Sequence, residues 1–162
     1  MRAHLTLTVH DQEGQVVAER KAWNSVMLQG AQLVAQLFAG TGSPITHMVV
    51  GSNDAPETDT FSTTELQVDP EELSGETSAP ISTDAFIIST DETHRLIRVR
   101  VRGTLPQDAA VGRIREAGLI SRSEEGDVLY NRVIMNPIDK GDDHELTLFW
   151  EVTFPYGDLS WM

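Results

Sequence analysis

Histidine is the side chain best suited to acid–base or metal chemistry near neutral pH, and the five here, His4, His10, His47, His94 and His144, stand singly. None forms a helical His-x-x-x-His pair or a facial triad with a carboxylate at recognisable spacing, so no metal site and no cofactor are expected. The run Asp54-Ala55-Pro56-Glu57-Thr58-Asp59 places three carboxylates in one loop. Calcium takes such hard oxygen ligands, but the glycine and spacing of an EF-hand are missing, and a solvated acidic loop is the plainer reading. The serines lack a Gly-x-Ser-x-Gly elbow, and Gly40-Thr41-Gly42 lacks the third glycine of a dinucleotide fingerprint. There is no cysteine, which excludes a thiol nucleophile, a disulfide and a thiolate metal site. Nothing selects a catalytic pair from 25 acidic residues, so a non-enzymatic protein is expected.

The most distinctive charged feature is the alternation of Arg98, Arg100 and Arg102 with Ile97, Val99 and Val101. Three guanidinium groups on one strand face repel one another unless carboxylates on adjacent strands, or an anionic partner, stand opposite. Between Lys21 and Arg95 the chain has no Lys or Arg but many acids, among them Asp54, Glu57, Asp59, Glu71 and Glu72. Eight of the ten arginines then fall between Arg95 and Arg132. Either the two regions meet within one fold, or the acidic loop of one copy meets the basic strands of the next. Arg98, Arg100, Arg102, Asp54, Glu57, Asp59, Glu71 and Glu72 are therefore candidate interface residues. Trp161, following Tyr156 and Leu159, is a candidate anchor on a neighbour.

A net charge of −13 opposes non-specific nucleic-acid binding, because a phosphate backbone repels such a chain at long range. No stretch approaches the roughly 18 apolar residues of a membrane span, and the start lacks the apolar core of a signal peptide.

These side chains need a framework, and the pattern predicts a mainly β one. Residues 1–162 fit a single β-rich domain. Leu5, Leu7 and Val9 alternate with Thr6 and Thr8; with the turn Asp11–Gly14 and the returning segment Val16–Ala22 they predict an opening β-hairpin. Asn24 is placed to cap a helix over about 25–39, with Gln29, Gln32 and Gln36 on its polar stripe and Gly40 closing it. Gly30 inside that helix predicts a close approach to a strand. Strands are expected over 45–51, 85–90, 95–103, 112–121, 128–136 and 145–154. The segment from about 69 to 80, acidic and rich in turn formers, reads as a mobile or partner-ordered loop. The sum is an antiparallel β-sandwich of about eight strands with one packed α-helix.

The order of these elements resembles that of phage tail-collar and tail-fibre attachment domains. The likeness is carried by the Asn24-to-Gly40 helix with internal Gly30, the strand ending Val49-Val50-Gly51 and its acidic loop, Thr64-Glu65-Leu66, and the later Ile114-Arg115-Glu116-Ala117-Gly118-Leu119. It spans about residues 20–154, and in that family the segment like Arg-Glu-Ala-Gly-Leu begins a strand. It implies a structural subunit of a tailed-phage virion or related contractile injection particle. The missing fibre shaft favours an adaptor, collar, baseplate or surface component. Such a protein is made in the host cytoplasm and is located in the virion or extracellular particle. Its partners are copies of itself and other particle proteins. The residues themselves read structurally: Glu116 is expected to pair with a nearby arginine, and Gly118 to answer a bulge or a close backbone approach. The alternative is a carbohydrate- or receptor-binding β-sandwich with a host-surface ligand, which would need exposed aromatic residues.

Overall fold

The computed structural model describes residues 2–158. Eleven β-strands and one α-helix form two antiparallel sheets. The strands are β1 (Arg2–His10), β2 (Val16–Trp23), β3 (Ser25–Val26), β4 (His47–Gly51), β5 (Leu73–Ser74), β6 (Ser78–Pro80), β7 (Phe86–Asp91), β8 (Leu96–Leu105), β9 (Val111–Ser123), β10 (Gly126–Lys140) and β11 (Glu145–Pro155); the helix is α1 (Leu28–Phe38). One sheet has the order β2-β1-β11-β8-β7, and the other β3-β10-β9-β4-β6, with β5 paired to β9 beyond the end of β4. The sandwich with one helix is as expected; the strand count exceeds eight because β3, β5 and β6 are two or three residues long. Strands that short leave almost no periodic signal.

The two sheets bury their facing sides in one core. Leu5, Leu7 and Val9 of β1 join Leu146, Leu148, Trp150 and Val152 of β11, and meet Met48 and Val50 of β4, Ala117 and Leu119 of β9, and Val133 and Ile138 of β10. The sheets approach closely at Gly103, where a Cβ would lie 2.7 Å from the Met48 sulfur. On β9 the alternation is lost, and every residue from Glu116 to Ser121 is buried. The cause is cover on both sides: the first sheet lies on one face, while Met27, Leu66 and the loop after β4 lie on the other, with α1 on the neighbouring β10.

Helix α1 starts later than its sequence predicts. Ser25 and Val26 are strand residues paired with Arg132 and Asn131 of β10, and the N-cap is Met27, without a side-chain hydrogen bond. Asn24 is thus not the cap. It sits at the corner where the chain leaves the first sheet, and its backbone amide donates to Ala3 O at 3.1 Å. Both polar atoms of its side chain are buried without a hydrogen-bond partner. A cap loss would cost about 1 kcal/mol, whereas removal of an unpaired buried amide costs nothing of that kind. Asn24→Ala is therefore expected to leave the denaturant midpoint unchanged or raise it. A drop equivalent to a lost cap would contradict this account.

At the other end Gly40 takes φ +71° and closes the helix, as expected. Gly30 lies against β10: a Cβ there would run into the Tyr130 carbonyl. The same carbonyl accepts from the Met27 amide at 3.0 Å, so the start of the helix is hydrogen-bonded onto the strand.

The segment 69–80, expected as a mobile or partner-ordered loop, is tied into the chain. It contains β5 and β6, and its Leu73 and Ala79 are core residues. Aspartate and glycine turns surround those two apolar positions, which is why composition alone reads as loop.

Candidate interaction surface

The outward face of β8 carries the arginine row, and the register decides what each meets. Arg98 lies between Ser89 of β7 and Thr153 of β11, Arg100 between Ile87 and Glu151, and Arg102 beside Phe149. Arg98 pairs with Asp91, at the end of β7, whose carboxyl is held below its ordinary range first by hydrogen bonds from the His94 amide and ring. Arg100 Nε donates to Glu151 Oε2 at 2.9 Å. Two of the three arginines are thus ion-paired with carboxylates of their own sheet, while Arg102 is exposed at its end of the row.

The acidic candidates divide likewise. Asp54 and Glu72 both hold Arg115, at 3.1 and 3.4 Å, so acidic loop and basic strand meet within one chain here. Both are thus corrected in part: each has a partner within the chain, while their side chains remain 59% and 39% exposed. Asp59 and Glu71 remain exposed. Trp161 lies outside the described residues.

Glu57 is corrected most strongly, because its side chain is only 8% exposed. It belongs to a buried charge cluster on the outer side of β9 and β10, with Arg132 at the centre. Arg132 Nε donates to Glu116 Oε2 and its Nη1 to Glu57 Oε1, both at 2.6 Å. Nη1 also donates to Ala55 O at 2.8 Å, and Nη2 to Asn53 O at 3.1 Å. Glu116 Oε1 in turn accepts from the amides of Gln67 at 2.9 Å and Asn53 at 3.3 Å. The cluster therefore fastens both ends of the loop between β4 and β5 to the sheet. Burial pushes the Glu116 carboxyl up, with Arg132 and the two amides opposing. On Arg132, burial pulls the guanidinium down but the two carboxylates outweigh it.

Two glycines make room for this. At Gly51 a Cβ would collide with the Glu116 carboxylate, and at Gly118 it would lie 2.6 Å from Asn131 O, next to a register shift between Leu129 and Asn131. Glu116 and Gly118 lie in the middle of β9, not at its start as the family likeness implies.

The cluster ties the loop to the sheet through ion pairs and backbone hydrogen bonds. Arg132 Nε, Nη1 and Nη2 all donate within the cluster, and the carboxylates of Asp54 and Glu57 point at guanidinium groups rather than at one another. Among the described residues no group of three or more histidines and carboxylates is placed to hold a metal ion.

What sequence reasoning missed is apolar. Ile87 and Ile88 on β7 are 62% and 70% exposed, and Phe38 at the end of α1 is 91% exposed. Trp23, at the end of β2, is 71% exposed, in tilted ring contact with His4 at 5.4 Å. Trp23 overlooks a recess of about 460 Å³ lined also by His4, Leu96, Arg98, Glu151 and Thr153. A signal for β7 was present: Phe86-Ile87-Ile88 puts apolar side chains on both faces of one strand, and a strand at a sheet edge cannot bury both. Compared with known proteins, the chain matches no family model, no curated protein and no solved structure.

Proposed function

We propose that the chain is a non-enzymatic structural subunit of a tailed-phage virion or related injection particle, an adaptor, collar, baseplate or surface component, that assembles through protein–protein contacts. The observation that carries the assembly role is the uncovered apolar surface, above all Ile87 and Ile88 side by side on an open sheet edge. Exposed apolar groups on a strand edge are an aggregation hazard for a free monomer and a contact for a subunit. The particle itself is proposed from the order of elements around residues 24–51 and 114–119. Mass spectrometry of purified particles from the producing host tests this reading. The chain is expected at a fixed stoichiometry to the other particle proteins, and its absence from them rejects the proposal.

A second reading, a carbohydrate- or receptor-binding module, is favoured by Trp23 alone. An exposed indole face beside a carboxylate and an imidazole is a surface on which a pyranose ring stacks. Saturation of Trp23 fluorescence by a glycan that binds on a printed array, and its loss in Trp23→Ala, is the expected result under that reading. An array without binding removes it.

A further inference from the structure

We infer that β7 is a self-pairing strand, on which β7 of a second copy adds antiparallel to continue the five-stranded sheet across a two-fold axis. This rests on the structural-subunit reading and names one of its partners. Among the described residues the two sheets have five edge strands, β2, β7, β3, β6 and the two-residue β5, and all but β7 are blunted. β3 is two residues long, and β6 is three and ends in Pro80. β2 carries Glu19, Arg20 and Lys21 in succession and packs against β10, where Arg20 Nε and Nη2 donate to Asn136 O and Pro137 O at 3.2 and 2.9 Å. Short strands, proline, charges and cover are the devices that keep edges from pairing. Among the described residues β7 has none of them: Phe86–Thr90 holds no charge and no proline, pairs with β8 alone, and exposes Ile87 and Ile88.

The second copy is the occupant that the charges favour. A net charge of −13 repels copies from one another, least so where the strand is neutral. An isologous antiparallel contact brings each residue against the same strand, and the centre of the neutral stretch is Ile88. With Ile88 on the axis, Phe86 meets Thr90 and Ile87 meets Ser89, so all five neutral residues are paired and both isoleucines are covered.

The absence of native cysteine makes the test direct. Ile88→Cys is expected to give a disulfide-linked dimer on mild oxidation, since directly opposed positions bring side chains within bridging range. Val17→Cys, also exposed and on the opposite edge strand, is expected to remain monomeric under the same treatment. Ile88→Lys, folded by circular dichroism, is expected to weaken self-association by at least about tenfold in sedimentation. Equal cross-linking at both cysteines, or undiminished self-association in Ile88→Lys, overturns the inference. If the chain is found in particles while Ile88→Cys gives no cross-link, the inference falls and the structural-subunit reading stands. If the chain is missing from particles but position 88 cross-links, the reverse holds.

Discussion

Arg132→Met is expected to destabilise the protein by about 3–5 kcal/mol, the range for removing one partner of a buried ion cluster. The size follows from what is left behind. Glu116 is fully buried and Glu57 nearly so, and without Arg132 two carboxylates and the carbonyls of Ala55 and Asn53 lose their donor together. Against a total stability of about 5–15 kcal/mol such a loss is large. In a chain of this length it corresponds to a fall in Tm of roughly 6–20 °C. Hydrogen exchange gives the local signature: the Asn53 and Gln67 amides, which donate to Glu116, lose protection before the core strands do. A variant that unfolds within about 1 kcal/mol of wild type would mean that water reaches the cluster and relieves it.

Glu116→Gln isolates the charge. Arg132 would remain paired with Glu57, one cation to one anion, so the cost is expected to be smaller than for Arg132→Met. Its pH dependence has a definite sign. Burial raises the Glu116 carboxyl in the folded state, so between the ordinary glutamate range and the raised value the folded chain binds more protons than the unfolded one. This group's contribution is then fully present below the ordinary range and declines as pH rises through the folded value. The penalty of Glu116→Gln is accordingly largest in mild acid and shrinks towards neutrality. A penalty that grows with pH would assign control to the Arg132 attraction instead of to burial.

Gly30→Ala is expected to destabilise by about 2 kcal/mol, although alanine is the better helix former. The propensity gain is about 1 kcal/mol, and overpacking typically costs about 1–3 kcal/mol, more when it cannot relax. Here it cannot relax by a rotamer change. The added methyl meets backbone: Tyr130 C and Cα would stand 2.7 and 2.8 Å away, and the carbonyl oxygen closer still. That oxygen is also the acceptor for Met27, so a shift breaks the bond that starts the helix on the strand. Gln32→Ala, on the exposed side of the same helix, is the control and is expected to be neutral or slightly stabilising. Equal behaviour of the two variants in denaturant unfolding would show that the helix can lift off β10 at no cost.

Periodicity within a segment was enough to establish the long elements. The hairpin of β1 and β2, the alternation along β8 and the closing strand β11 follow from apolar residues recurring every second position, because a strand in a sandwich buries one side. Gly30 and Gly118 could likewise be read as close approaches, since glycine inside an element has few other physical reasons to be there. What no local pattern contains is partnership. Asn24 is a good capping residue by type, but pairing of Ser25–Val26 with β10 keeps the helix from starting there. Asp54, Glu57 and Glu72 look like solvated surface acids in the chain, and their engagement with Arg115 and Arg132 depends on strands dozens of residues away. Likewise the apolar run Phe86–Ile88 shows from its own residues that two faces want cover, while only the sheet order reveals that β7 is an edge strand. Residue type and spacing determined the strands, the single helix and the places where backbones touch. The tertiary structure alone decided which charges are spent internally and which apolar surface is left over, because both depend on what the fold brings alongside.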